Sequence, residues 1–267
     1  MPPLSQTAAR KLVRKLGENA RERKQALELI ASLRNGGDHD NRATLAAGGV
    51  IDPLVQLLRS DSPAEVQSKA AEALAGLADY DAAIIAAVGA IPPLVQLLGR
   101  GGTAQLNENA ASALMNLARN ANNKVTIAAA GAIPPLVQLL GCGSPADVQR
   151  MAAGALSNLA QNADNQVAIA AAGAIPHLVQ LLGPSSPDGV QQWAAGVLWS
   201  LAQNDDNAVT IAAAGAIDPL VRLSGFDSPA EMQERAAGAL ITLGRSSAKN
   251  RATIAAAGAS ANLLPEM

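Results

Sequence analysis

The longest helices that the sequence predicts follow a repeated start signal. Ser-Pro-Ala and then an acidic residue occupy positions 62–65, 144–147 and 228–231, a pattern that favours serine as the N-cap and proline in the first turn. After the second signal, apolar side chains recur three or four residues apart, as on one face of a helix: Val148, Ala152, Ala155, Leu156 and Leu159. We therefore predict a long helix over residues 145–162.

Two shorter helices precede each long helix in the pattern. Residues 123–130 predict a helix that ends at Gly131, where glycine can adopt a left-handed conformation. The pair Pro134-Pro135 favours the first turn of a second helix that ends near Leu140. An asparagine or aspartate stands near the start of each first helix, where we expect its side chain to cap backbone N–H groups: Asn41, Asp81, Asn123, Asn165, Asn207 and Asn250.

This group of three helices recurs along the chain. The phrase Ala-Gly-Ala-Ile-Pro-Pro-Leu-Val-Gln-Leu-Leu returns with small changes, and its glycines are 40, 42, 42, 42 and 43 residues apart: Gly49, Gly89, Gly131, Gly173, Gly215 and Gly258. A three-helix unit of this size cannot bury its apolar face alone, so neighbouring units must stack. The sequence therefore predicts an all-α solenoid.

The period, the short-short-long helix order and the phrase Gly-Ala-Ile-Pro-Pro-Leu-Val resemble the armadillo repeat family over about residues 1–262. The phrase at residues 122–134, Asn-Asn-Lys-Val-Thr-Ile-Ala-Ala-Ala-Gly-Ala-Ile-Pro, is most similar to plant-type armadillo proteins, including those attached to U-box ubiquitin ligases. We find no U-box in this sequence. The resemblance implies a right-handed superhelix whose third helices line a concave, peptide-binding face.

We expect one continuous solenoid domain with three parts. Residues 1–40 form a partial repeat or cap, residues 41–249 form five full repeats, and residues 250–267 form a partial repeat or cap. Because the array ends within a unit, either the chain is cut from a longer one or its end pieces serve as caps. The close likeness of the repeats fits recent duplication or consensus engineering.

The resemblance also implies peptide-binding residues, because the family uses an asparagine on each third helix and a tryptophan four residues earlier. The asparagine position holds Gly76, Asn116, Asn158, Ser200 and Thr242, and the tryptophan position holds Glu72, Ser112, Gly154, Gly196 and Gly238. Two asparagines match and no tryptophan does. The sequence thus departs from the basic-peptide groove of the importin-α type.

The two tryptophans stand at other positions of the fourth full repeat. Trp193 replaces Lys69, Asn109, Met151 or Arg235 of the other repeats, and Trp199 replaces Ala75, Met115, Ser157 or Ile241. Tryptophan is common at binding hot spots, and beside the glycines of the third helices it could border an open apolar slot. Alternatively, each tryptophan covers the seam between adjacent third helices. The peptide-binding residues we predict are Asn116, Asn158, Trp193, Ser200, Trp199, Arg119, Met151, Gln161, Gln203 and Thr242.

Charge gives no strong preference for the sign of a ligand. Lys69, Glu72 and Asp79 lie early on the predicted face, Arg119 in the middle, and Arg235 and Arg245 late. The net charge of −2 argues against a globally electrostatic nucleic-acid binder. Residues 1–34 carry a net charge of +5, from eight Lys or Arg and three Glu. This basic segment could contact acidic proteins, RNA or lipid headgroups, or it is the solvated face of a cap.

The remaining residue types argue against catalysis. The only histidines, His39 and His177, are three repeats apart, and Cys142 is the single cysteine, so we expect no catalytic residue, no metal site and no cofactor. A single cysteine fits the cytoplasm or nucleus. The longest uncharged runs are interrupted by Gly-Ala-Ile-Pro, so we expect no membrane span, and no secretory signal is visible.

These patterns predict a non-catalytic protein–protein interaction scaffold that binds an extended peptide along the concave face. Two alternatives stay open: the substrate-recognition part of a U-box-type ubiquitin ligase, and an engineered or consensus-like array without a natural ligand. The expected partner is a protein or peptide, with no small-molecule substrate. Self-association through an apolar face at the truncated end, near Ile254, Leu263 and Leu264, is a further expectation.

Overall fold

A computed structural model of the 267-residue chain describes residues 4–34, 39–59, 61–99 and 102–258. Within these ranges the chain forms helices and no strands. The helices are α1 (Gln6–Leu16), α2 (Ala20–Arg34), α3 (His39–Ala47), α4 (Ile51–Leu57), α5 (Ala64–Ala87), α6 (Ile91–Leu97), α7 (Ala104–Leu117), α8 (Ala121–Ala129), α9 (Ile133–Gln138), α10 (Ala146–Leu159), α11 (Ala163–Ala171), α12 (Ala174–Leu181), α13 (Asp188–Leu201), α14 (Asp205–Ala213), α15 (Ile217–Leu223), α16 (Ala230–Ser246) and α17 (Ala248–Ala256).

The helices fall into two compact units, Met1–Ala132 and Ile133–Met267. Within the second unit, α11, α12 and α13 form the first, second and third helices of one repeat, and α14, α15 and α16 form those of the next. In the first unit, α5 combines a third helix with the following first helix. Its backbone leaves the helical conformation at Asp81, where φ is −145° and ψ is 60°, so the repeat is preserved.

A left-handed glycine follows the first helix of each three-helix repeat in the described part of the chain. The six glycines of the repeated phrase have φ values between 81° and 87°, in the left-handed region: Gly49, Gly89, Gly131, Gly173, Gly215 and Gly258. A side chain is strained in this region, which explains why glycine recurs there. The predicted left-handed helix ends are therefore confirmed.

The predicted cap Asp81 is confirmed, because its Oδ1 accepts a hydrogen bond from the Ile84 backbone N–H at 3.1 Å, but in α8, α11 and α14 the capping asparagine lies three residues before the predicted one. The side-chain oxygen of Asn120 accepts hydrogen bonds from the backbone N–H groups of residues 122 and 123, and Asn162 and Asn204 cap α11 and α14 in the same way. The predicted cap Asn123 is instead buried. Its Nδ2 donates to the Ala82 carbonyl at 3.0 Å and the Leu117 carbonyl at 3.1 Å, so it joins helices rather than starting one.

The third helices also begin differently from the prediction. Proline, rather than serine, is the N-cap of α5, α10, α13 and α16, and no side chain caps these helices. Pro145 has a ψ of 152°, so it belongs to the extended chain before α10, and Ser144 lies one residue too early. The predicted apolar face of α10 is nevertheless confirmed, because all five of its residues are buried.

A glutamine fastens the loop between the second and third helices in four repeats: Gln67, Gln149, Gln191 and Gln233. Nε2 of Gln149, for example, donates to the Leu140 carbonyl at 3.3 Å and to the Gly141 carbonyl at 3.0 Å. In three of these loops the residue at the tip is exposed and differs each time, with Cys142, Pro184 and Phe226 at equivalent places. The loop base is therefore held while its tip varies.

The sequence predicts an uncovered apolar face near Ile254. This prediction is wrong at Ile254, which lies in α17 and is fully buried. Leu263 and Leu264 lie outside the described residues.

In α1 and α2, two of the basic side chains contact acidic ones: Lys15 lies 2.6 Å from Glu22, and Lys24 lies 2.9 Å from Glu65. The hydrogen bond and charge of Lys15 lower the pKa of the Glu22 carboxyl.

We expect Asn204→Ala to lower the free energy of unfolding by about 1 kcal/mol, since N-cap asparagines contribute this much. Its Oδ1 accepts from the Asn207 backbone N–H at 3.1 Å, and alanine offers no acceptor. Urea denaturation followed by circular dichroism measures the change. Asn204→Asp keeps an acceptor and should stay within about 0.5 kcal/mol of the wild type. Equal losses in the two variants would contradict this assignment of the cap.

Candidate functional site

Three successive third helices of the second unit, α10, α13 and α16, enclose an open cavity of about 410 Å³. Five of the predicted site residues line it: Asn158, Gln161, Trp193, Trp199 and Ser200. The remaining lining residues are Ser157, Gly196, Glu231, Glu234 and Arg235. The cavity thus combines two indoles, two carboxylates, one guanidinium and several neutral polar groups.

The side chains of Trp193 and Arg235 stack on each other. Cζ of Arg235 lies 4.1 Å from the centroid of the Trp193 ring, a distance at which a cation and an aromatic face attract. The two residues occupy the same position in successive repeats, 42 residues apart. Because α13 and α16 pack together, equal positions on the two helices meet.

Glycine makes room for the Arg235 side chain. A Cβ atom added to Gly196 would lie only 2.8 Å from Nη1 of Arg235, and 3.4 Å from both Cδ of Arg235 and Oγ of Ser157. The guanidinium therefore lies across Gly196, in the gap that the missing side chain leaves. The prediction of an open apolar slot at this glycine is wrong, because an arginine fills it.

The indole of Trp199 fills a similar gap on the neighbouring helix. A Cβ atom on Gly238 would lie 2.6 Å from Cε2 and 2.7 Å from Cδ2 of Trp199. These contacts place Trp199 over the seam between α13 and α16, which was the alternative interpretation of this residue. Trp199 also borders the cavity, so it contributes both to helix packing and to the cavity wall.

Two carboxylates stand beside the stacked pair. Glu231 and Glu234 are exposed on α16, and Oε2 of Glu231 accepts a hydrogen bond from Nε2 of Gln192 on α13. Burial lowers the pKa of the Arg235 guanidinium, and the charges of Glu231 and Glu234 oppose that shift. With two carboxylates and one guanidinium, the cavity has an excess of negative charge.

Polar side chains of the predicted asparagine position complete the lining. Asn158 and Ser200 are both partly buried, and Oγ of Ser200 donates to the Gly196 carbonyl at 3.2 Å. Thr242, at the same position of the next repeat, donates to the Gly238 carbonyl at 2.8 Å and does not line the cavity. The hydroxyl groups thus bond within their own helices, one turn back.

Some predicted site residues lie away from this cavity. Met151 is 8% exposed in α10, and Gln203 is exposed beyond the end of α13; neither lines the cavity. Asn116 and Arg119 belong to the first unit, where they line another cavity of about 340 Å³. Nδ2 of Asn116 donates to the Ala75 carbonyl at 2.8 Å, so its amide already binds the neighbouring helix.

The sequence interpretation missed Glu231 and Glu234 as cavity residues, and it treated Arg235 only as a charge on the predicted face. The register between repeats would have pointed to them, because Arg235 lies one repeat after Trp193 and Glu231 lies one helical turn before Arg235. On the first-unit third helix α5, Lys69 pairs with Glu72 at 2.9 Å. The side chain of Asp79 lies outside the described residues.

The described part of the chain lacks two further features. It holds no group of three or more His, Cys, Asp or Glu side chains arranged to bind a metal ion. In the same ranges, no helix combines the length and the apolar character needed to cross a membrane.

Comparison with known proteins agrees with the repeated three-helix units. The model of the Armadillo/beta-catenin-like repeat matches residues 82–119, 120–161 and 162–203. No protein with a curated description matches the chain. An engineered protein solved by the Northeast Structural Genomics Consortium is 31% identical, with a TM-score of 0.81, and the match covers 89% of this chain and 97% of that one.

Designed armadillo repeat proteins are similar as well. One is 29% identical with a TM-score of 0.81, and the match covers 88% of this chain and 99% of that one. Another, solved in complex with the peptide (KR)4, is 29% identical with a TM-score of 0.77 and the same coverage. The fold defines a helical repeat protein that serves as a scaffold. The chain belongs to the armadillo repeat family and has its all-α fold.

Proposed function

We propose that this armadillo scaffold is non-catalytic and binds an extended peptide segment along the face formed by the third helices, with the cavity between α10, α13 and α16 as its main contact. The observation that carries the proposal is the convergence of two tryptophans, two carboxylates and Asn158 around one open cavity. Similar designed proteins support it, since one was designed for modular peptide recognition and another was solved with a peptide.

The chemistry of the cavity suits a peptide. An extended peptide has unpaired backbone N–H and C=O groups, and a side-chain amide such as that of Asn158 offers both donors and an acceptor. Indoles supply large apolar contact areas with few rotatable bonds. Trp193 is the only tryptophan of the pair that does not fill a glycine gap on the next helix, so it is the residue we expect to contact a ligand.

We expect Trp193→Ala to weaken binding of a peptide selected by random-peptide display at least about tenfold, since hot-spot tryptophans contribute more than about 1 kcal/mol each. Asn158→Ala should weaken the same peptide to a smaller degree. Isothermal titration calorimetry measures both affinities. Val209→Ala is the control, because Val209 is 61% exposed on the first helix α14 and does not line the cavity.

A selected peptide that binds both cavity variants as tightly as the wild type would place the binding site elsewhere. No enrichment of any peptide would favour the second candidate, a structural array without a natural ligand. That candidate is supported by the likeness of the chain to engineered and designed proteins. Circular dichroism of each variant shows whether the fold is kept.

The proposal includes the organisation of the chain. Residues 1–40 and 250–267 serve as end pieces around five full repeats at 41–249, and the scaffold works in the cytoplasm or nucleus. Self-association through the ends remains part of the proposal, and light scattering over a range of concentrations tests it. A monomer at every concentration would contradict self-association.

A further inference from the structure

We propose that Arg235 is a specificity-determining residue. Its guanidinium covers the face of the Trp193 indole and thereby keeps cationic side chains of a peptide out of this part of the cavity. The inference rests on the proposed peptide-binding function. It concerns which peptides the cavity accepts. Arg235 makes the cavity discriminate against lysine and arginine at one position of the peptide.

The first support is the geometry of the stack. The guanidinium lies 4.1 Å from the Trp193 centroid, so a second cation cannot reach this face of the indole while Arg235 is there. Arg235 reaches this place only because position 196 is a glycine, where a Cβ would approach Nη1 to 2.8 Å. The neighbouring helix is therefore shaped to receive the arginine side chain.

The second support is the charge that surrounds the stack. An indole face and two carboxylates in one cavity attract a cation, and here Glu231 and Glu234 line the same cavity as Trp193. The chain itself supplies that cation. Arg235 is covalently attached next to the indole, so a ligand cation must compete with a group whose effective concentration is high. Without Arg235, the cavity would present a bare indole and two carboxylates.

The test compares two variants that lose the same charge from the same helix. Arg235→Ala uncovers Trp193, whereas Arg245→Ala removes an exposed arginine that does not line the cavity. The probe is an octapeptide of alternating lysine and arginine, titrated by calorimetry. We expect Arg235→Ala to bind it about 2- to 30-fold more tightly than Arg245→Ala does, the range that cation–π energies give.

A second variant displaces the guanidinium without changing any charge. In Gly196→Ala the new methyl group would lie 2.8 Å from Nη1, so the guanidinium must shift from its place over residue 196, and we expect tighter binding of the octapeptide than in the wild type. In the double variant Trp193→Ala/Arg235→Ala the gain should disappear, because no indole remains. In the wild type, the Nε–H resonance of Arg235 should show a ring-current shift that Trp193→Ala abolishes.

The outcomes separate this inference from the proposed function. If Arg235→Ala and Arg245→Ala bind the octapeptide equally, or if Arg235→Ala does not bind it at all, Arg235 does not exclude cations and the inference is wrong. The proposed function would survive that result, provided that displayed peptides still bind the wild type and depend on Trp193. Loss of all peptide binding in every variant and in the wild type would overturn both.

Discussion

Gly238→Ala is expected to lower the free energy of unfolding by about 1–3 kcal/mol, as overpacking of a closely packed site does. Alanine is the better helix-forming residue by about 1 kcal/mol, so backbone propensity alone predicts the opposite sign. Packing decides the outcome, because the new methyl group would lie 2.6–2.9 Å from three carbons of the Trp199 indole. The obstacle is a rigid indole rather than the end of a flexible side chain, so it cannot bend away from the new methyl group.

Gly196→Ala is the matched control, since it makes the same change at the equivalent position of the preceding repeat. There the obstacle is the end of the flexible Arg235 side chain, so the gain in helix propensity and the weakened stack on Trp193, about 1 kcal/mol each, should nearly cancel, and we expect a stability within about 0.5 kcal/mol of the wild type. Urea denaturation of both variants provides the comparison. Adding Trp199→Ala to Gly238→Ala should remove the clash. If Gly238→Ala lowers the free energy of unfolding equally in the Trp199→Ala background, the indole is not the cause of the loss.

Leu156→Ala should have the largest effect on stability, a loss of about 2–5 kcal/mol, the usual range for truncating a buried leucine. Leu156 is 0% exposed in α10, where it belongs to the apolar face that the sequence predicts. The helix packs against both α9 and α13, so the surrounding side chains are fixed and cannot close the cavity that alanine leaves. Thermal and urea denaturation measure the loss.

Val167→Ala is the comparison for this prediction, because Val167 is 54% exposed on α11, the first helix that follows α10. A surface substitution of this kind should change the stability by no more than about 0.5 kcal/mol. Similar losses in the two variants would mean that the face containing Leu156 is not the core of the repeat.

Much of the fold follows from the sequence because its determinants are local and repeated. The spacing of Val148, Ala152 and Leu156 predicts the buried face of a third helix, and the structure buries all three. Gly131 and its equivalents predict the left-handed helix ends, because few other residues adopt this conformation without strain. Periodic repetition strengthens each of these signals.

The caps show where local reasoning fails. Asparagine occurs both at the cap and three residues later, as in Asn120 and Asn123, and either could accept a hydrogen bond from the first turn. The choice depends on tertiary packing, because Asn123 is drawn into the interior by the Ala82 and Leu117 carbonyls. A single repeat read by itself does not contain this information.

The candidate site was partly predictable because the repeats can be compared with one another. Trp193 differs from its equivalents in every other repeat, and this difference alone drew attention to the right helix. The stack with Arg235 and the filling of the Gly196 gap depend on which side chains of α16 face α13. The 42-residue spacing places Arg235 at the position of Trp193 in the next repeat, but the sequence pattern does not fix the conformations of the two side chains.

The glutamine-held loops between second and third helices have a practical consequence for engineering. The side-chain amide of Gln149 holds the loop base through hydrogen bonds to backbone carbonyls, and the tip residue Cys142 is exposed to solvent. Exposed tips of this kind tolerate insertions. As Cys142 is the only thiol in the chain, a maleimide dye would label the molecule at one point. The equivalent tips at Pro184 and Phe226 offer grafting points for foreign segments, each one repeat further along.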